Sequence, residues 1–167
     1  MALYPVAASN KDETVGSGAS TTDPSMLSTY NYTAGTYSYG RAYIDTSAIG
    51  TDVISAATFY WYHQAYTKTK TNAFSRIIRI GGLGFLSSSS NPGAAGWHSQ
   101  ALTAGQFSQI NTSGETEIGF DMNDPGVGFN AWTIRAWDYD GAGTYACYFD
   151  VTHAPASGGP TRFSILR

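Results

Sequence analysis

The chain has 167 residues, the size of one domain, with a net charge of -3, 14% aromatic residues and only 13% charged residues. A charged share roughly half the usual one, beside 19 Gly and 12 Tyr, excludes a coiled coil or helical bundle, and the aromatic content excludes a disordered chain. The pI near 5.4 leaves no basic footprint for nucleic acid, and no apolar run approaches the roughly 18 residues of a membrane-spanning helix.

In chain order, residues 1–36 read as an N-terminal arm and loop, partly packed on a sandwich formed by residues 37–167. The arm is rich in Ser, Thr, Gly and Asn, and 9–24 in particular reads as loop through Gly16, Gly18 and Asp23-Pro24. From Tyr37 the pattern becomes short strands cut by turns. Residues 37–45 alternate, with Gly40, Ala42 and Ile44 on one face and Tyr39, Arg41 and Tyr43 on the other. Residues 53–64 are the strongest strand: Ala57, Phe59 and Trp61 share one face, Thr58, Tyr60 and Tyr62 the other. A polar turn at 67–72 leads to a strand at 74–80, which 83–86 is expected to extend beyond Gly81-Gly82. Residues 87–96 read as a Ser/Asn/Pro/Gly loop, and 102–110 as the one helical turn of the chain.

Residues 115–122 alternate again, with Ile118, Phe120 and Met122 inward and Glu117, Gly119 and Asp121 outward. Asn123-Asp124-Pro125-Gly126 is a turn, because Pro presets φ and Gly admits positive φ. Residues 129–139 place Trp132, Ile134 and Ala136 on one face and Thr133, Arg135, Trp137 and Tyr139 on the other. After a turn at Asp140-Gly141, residues 145–151 and 162–166 are the last strands. Seven or eight strands at this spacing predict an all-β fold, a single jelly-roll-like antiparallel β-sandwich with an irregular N-terminal arm. The expected core is Phe59, Trp61, Ile118, Phe120, Trp132, Ile134, Phe149, Phe163 and Ile165.

Side chains with chemical potential are scattered. His63, His98 and His153 lack metal-ligand spacing and read as surface or boundary residues. Cys147 is the single cysteine, so no internal disulfide forms, and it alternates with Tyr145 and Phe149 as a packed small hydrophobe. Glu115 and Glu117, like Asp138 and Asp140, lie two apart on one strand and point the same way. A glycosidase needs two carboxylates facing each other across a cleft. Asp138 and Asp140 are weak candidates for a structural calcium, since Asp-Gly is also an ordinary turn sequence. No other cofactor is expected. Gly81-Gly82-Leu83-Gly84 lacks the Lys-Ser/Thr end of a phosphate loop and reads as a bend or bulge.

The aromatics carry the strongest functional signal. Tyr39, Tyr43, Tyr60, Tyr62, Arg135, Trp137 and Tyr139 are the candidate interface or ligand residues, and Tyr37 and Tyr148 also read as outward. Outward Tyr and Trp serve an inter-subunit interface, a sugar-stacking platform, or a face covered by loops.

Four segments carry a resemblance: Asp12-Glu13-Thr14-Val15, Ile44-Asp45-Thr46-Ser47-Ala48-Ile49, the run Ile54 to Tyr62, and Pro160 to Ile165. Together they resemble the corner and core-strand pattern of DNRLRE-type and related carbohydrate-binding-module-like jelly rolls, with Ile44 where Phe is usual. Such modules occur in cell-surface proteins, polysaccharide-degrading enzymes and tailed-phage virion proteins. The N-terminus has no basic, apolar signal-peptide pattern. With the low charge and the lone cysteine, the expectation is a non-enzymatic bacteriophage virion protein, made in the host cytoplasm and located in the virion. It would decorate the capsid or form a fibre head. Its expected partners are further copies of itself and other virion proteins such as a major capsid protein, with no nucleic acid and no membrane. An arm of about 25 residues reaches about 80 Å when extended, enough to lie along neighbouring subunits. The alternative is a carbohydrate-binding module or lectin that uses exposed Tyr and Trp on a glycan.

Overall fold

A computed structural model of the protein describes residues 2–5, 13–16, 20–21, 29–31, 36–68, 75–81, 84–89, 95–123, 129–135 and 147–156. Side chains are described for 2, 41–63, 78–81, 95–119 and 147–156. The fold is an all-β antiparallel sandwich. Its strands are β1 (Ala2–Pro5), β2 (Glu13–Gly16), β3 (Ser20–Thr21), β4 (Thr29–Asn31), β5 (Thr36–Asp45), β6 (Val53–Lys68), β7 (Ser75–Ile80), β8 (Gly84–Ser89), β9 (Gly96–Ala101), β10 (Glu115–Asn123), β11 (Phe129–Arg135) and β12 (Tyr148–Ala154).

One layer is built on β6, a strand of 16 residues. β12 pairs with β6 over residues 53–60 and β11 over 62–68, while β9 pairs with 58–63. A strand has two edges, so β9 occupies one and β11 and β12 lie end to end along the other. β1 extends the layer beyond β12. The other layer is β5–β10–β7–β8, with β2 on β5 and β3 on β2. β5 joins the layers, because Thr36 and Tyr37 pair with β4, which in turn pairs with β11.

The apolar alternation of the sequence faces the interior. Ala42, Ile44, Ile78, Ile80 and Ile118 from one layer meet Ala57, Phe59, Trp61, Phe149 and Val151 from the other, all in a single buried cluster. Cys147 is buried in it as a small hydrophobe. Of the expected core, Phe59, Trp61, Ile118 and Phe149 are buried. Phe120, Trp132 and Ile134 lie on β10 and β11, and their side chains fall outside the described residues, as do Phe163 and Ile165 entirely.

Four local readings change. Thr67 and Lys68, expected in a polar turn, are the end of β6 and pair with β11. Within the expected loop at 9–24, Glu13–Gly16 is a strand on β5, and Thr29–Asn31 is a strand between β5 and β11. Runs of three or four residues are too short to show alternation, and their ladder bonds come from a neighbour distant in sequence. Residues 84–89 do not extend β7 but reverse to pair antiparallel with it. Gly81 makes the reversal possible: its φ is +61°, and a Cβ there would sit 3.0 Å from the Gln109 carbonyl oxygen. The expected loop at 87–96 contains the end of β8 and the first residue of β9.

The helical turn expected at 102–110 is a 3-10 turn, Ala104–Gln109. The N–H and hydroxyl of Thr103 both donate to Gln106 Oε1, at 2.8 and 3.0 Å, and close its start. A second 3-10 turn, Ser47–Ile49, follows β5. There the Ser47 hydroxyl and then its backbone N–H bond the Asp45 carboxylate and hold its pKa below the usual carboxylate range.

Candidate functional site

The long strand β6 sorts its residues between two faces with period two. On the inner face, continuing from Phe59 and Trp61, stands His63, only 1% exposed. This corrects its reading as a surface or boundary residue: strand parity carries it to the same side as Trp61. His98, opposite Trp61 across the β6–β9 ladder, stacks on the Trp61 ring at 5.8 Å, and the His63 and His98 rings are also 5.8 Å apart. His153 is a partly buried boundary residue whose Nδ1 lies 2.7 Å from Asp52 Oδ2, tying the end of β12 to the start of β6.

On the outer face, Tyr60, Tyr62, Trp97 and Tyr148 come together from three strands. Tyr60 stands opposite Tyr148 on β12, and Tyr62 opposite Trp97 on β9. Tyr60 and Tyr148 are stacked, with ring centroids 4.7 Å apart and planes 9° apart. Trp97 meets Tyr148 edge-on at 5.7 Å and Tyr62 edge-on at 5.6 Å. Such pairs add about 0.5–1.5 kcal/mol each beyond area burial. The ladder therefore holds its own shape. Trp97 remains 46% exposed, one of two large hydrophobic side chains so exposed among the described residues.

Of the candidates named from sequence, Tyr60 and Tyr62 belong to this ladder. Tyr43 is half-buried on β5, in the other layer. Arg135 stands opposite Tyr62 in the β11–β6 register, and Tyr39 lies on β5 opposite Val15; both side chains fall outside the described residues. Trp137 and Tyr139 lie outside the described residues altogether, as do the calcium candidates Asp138 and Asp140. Residues 97–101, between the expected loop at 87–96 and the helical turn at 102–110, carry no predicted element, so the sequence does not single out Trp97. The available signal was an alternating run of six residues, Gly96 to Ala101, too polar to stand out.

Glu115 and Glu117 both lie on β10, two residues apart. Glu117 lies 3.6 Å from Arg41 on the neighbouring strand, both a third exposed, and Glu115 is exposed on the same strand. No group of three or more His, Cys, Asp or Glu converges among the described residues, and no described helix is long and apolar enough to cross a membrane.

The ladder has a measurable electrostatic mark. Burial first, then Tyr60 and Asp150, raises the Tyr148 phenol above its ordinary value. The folded state thus holds the Tyr148 proton more tightly than the unfolded chain. The associated stability is present below about pH 10 and is lost as pH rises through the folded-state pKa. Ultraviolet titration of the native chain and of Tyr148→Phe is expected to differ by one phenol that ionises later than an exposed tyrosine. The variant should also withstand higher pH before unfolding. A difference curve centred at or below the ordinary phenol value would contradict this placement.

No family model matches the chain, and neither a curated protein nor a solved structure matches it.

Proposed function

We propose that this domain acts by assembly, as a non-enzymatic structural protein of a tailed-bacteriophage virion that decorates the capsid or forms a fibre head. The observation that carries the assembly reading is the outer ladder of Tyr60, Tyr62, Trp97 and Tyr148 with Trp97 left exposed. Tyr and Trp are enriched in protein interfaces and charged residues are depleted from interface cores, which suits a chain with 13% charged residues. The assignment to a virion rests on that composition and on the jelly-roll resemblance.

Ring geometry favours this reading over the carbohydrate-binding one. A sugar platform lays aromatic faces side by side in one plane to meet flat pyranose rings. Here Tyr60 and Tyr148 turn their faces to each other, and Trp97 stands at 62° to Tyr148 and 80° to Tyr62. Rings that face each other or stand at steep angles share no common plane, which favours a protein surface as the partner. Calcium and nucleic acid have no part in the reading.

The test is quantitative mass spectrometry of purified phage particles whose genome encodes the chain, combined with a glycan panel probed with the isolated chain. The expected result is a fixed copy number per particle matching the particle's symmetry, and no saturable glycan binding. A chain absent from particles that binds glycans, with binding abolished in Trp97→Ala, would replace this reading with the lectin one.

A further inference from the structure

The edge of β9 away from β6, with which no described strand pairs, lies beside the aromatic ladder, and its chemistry can be read residue by residue. The Leu102 N–H donates to the Ala57 carbonyl at 2.9 Å, and Thr58 stands opposite Ala101. Hydrogen-bonded and non-bonded positions alternate along an antiparallel pair. Gln100, His98 and Gly96 therefore turn their backbone groups towards β6. Trp97, Ser99 and Ala101 turn theirs to the opposite edge, where no described strand pairs with them; the Ala101 carbonyl there accepts the Gln100 side-chain amide at 3.1 Å and has a second lone pair for a partner. All three residues are exposed.

Edge strands in monomeric proteins are normally guarded by Lys, Pro, a bulge or a covering loop, because a bare row of N–H and C=O groups recruits another strand. β9 reads Gly-Trp-His-Ser-Gln-Ala, with no Lys, Arg, Asp, Glu or Pro, and its register against β6 runs without a shift. Pairing with an identical strand doubles whatever charge the edge carries, so a neutral edge is what self-pairing needs.

We propose that β9 pairs antiparallel with β9 of a second copy of this chain, joining two sandwiches across a two-fold axis at Ser99. This deepens the assembly reading above by naming its first partner. Only residues whose backbone groups point outwards can form the bonded pairs. The register that uses all three within β9 sets Ser99 against the partner's Ser99 and Trp97 against the partner's Ala101. A large exposed ring then meets a small side chain on the outer face, twice by symmetry, and each ladder runs on into the other. On the inner face the same register sets His98 opposite the partner's Gln100.

The experiment uses the full chain in sedimentation equilibrium over a range of concentrations. The wild type is expected at twice its 17.8 kDa mass. Ser99→Pro removes an N–H that points away from β6, a place where an edge strand accepts proline, and should halve the observed mass with circular dichroism unchanged. Ser99→Lys should do the same through repulsion of two charges at the axis, and covers the case in which the proline variant fails to fold. Ser99→Cys should give a disulfide-linked dimer on mild oxidation, since Cys147 is buried, while Ser55→Cys, exposed on β6, should not. A wild type that stays monomeric, or a dimer indifferent to proline and lysine at position 99, would overturn the pairing. A monomer that still occupies phage particles overturns it while sparing the virion reading, and an edge-paired dimer absent from every particle does the reverse.

Discussion

Phe59→Ala is expected to lower the unfolding free energy by about 3–5 kcal/mol. The ring is fully buried at the centre of β6, 5.1 Å from Phe149 on β12 and 5.8 Å from Trp61 on its own strand. Phe149 stands directly opposite it in the ladder, and the isoleucines of β5, β7 and β10 belong to the same cluster. Removing the ring loses its transfer free energy and leaves a cavity. Two hydrogen-bonded sheets cannot close around that cavity without breaking ladder bonds, so the cost falls in the upper part of the large-to-small range. Urea unfolding monitored by tryptophan fluorescence should show a lower midpoint with an unchanged slope. A loss under about 1 kcal/mol would mean that Phe59 does not lie between the two layers.

The second large effect is polar. Thr46 and Thr116 are both buried, and their hydroxyl oxygens are 2.7 Å apart. The Thr46 hydroxyl reaches the Asn111 carbonyl at 2.8 Å and the Gly114 carbonyl at 3.1 Å, while Thr116 Oγ1 accepts the Asn111 N–H at 2.9 Å. Proton accounting closes in one arrangement: Thr46 donates to the carbonyls, and Thr116 donates to Thr46. This knot pins the loop at 111–114 to the corner after β5, where the Thr46 N–H also donates to Gly114. Thr46→Val keeps the shape and removes the hydroxyl. It leaves the Asn111 carbonyl and the Thr116 hydroxyl each short of a partner, at about 1–3 kcal/mol for an orphaned buried group. Thr46→Ser, which keeps the oxygen, should retain most of that stability. If valine is as stable as threonine in thermal unfolding, the hydroxyl network contributes nothing and the proton accounting is wrong.

Trp97 and Thr46 illustrate how far residue patterns reach. Thr46 lies in a corner segment visible in the sequence, but its partners are 65 to 70 residues away, so the bonding could not be read locally. Trp97 sits in a stretch whose Gly, Ser and Gln suggest loop. It becomes strand because β6 offers an unpaired edge, and its ring matters because Tyr62 and Tyr148 arrive from other strands. Backbone pairing overrode local propensity in both β9 and the N-terminal strand Glu13–Gly16, as expected where a strand's preference reflects its neighbours more than its own residues.

From the sequence alone came the all-β class, the alternating faces of β5, β6 and β10, the burial of Phe59, Trp61, Ile118 and Phe149, and a turn of helix near 104–109. All of these follow from a period of two, from turn residues or from side-chain volume, which are local properties. Tertiary structure alone decided which strands are neighbours, that β11 and β12 share one edge of β6 while β9 takes the other, and that His63 is interior. It also decided that four rings from three strands form one ladder beside an edge of β9 with which no described strand pairs. The reason is that strand pairing is a long-range choice among similar backbones. Register is fixed only when both faces and both edges of every strand have found their surroundings.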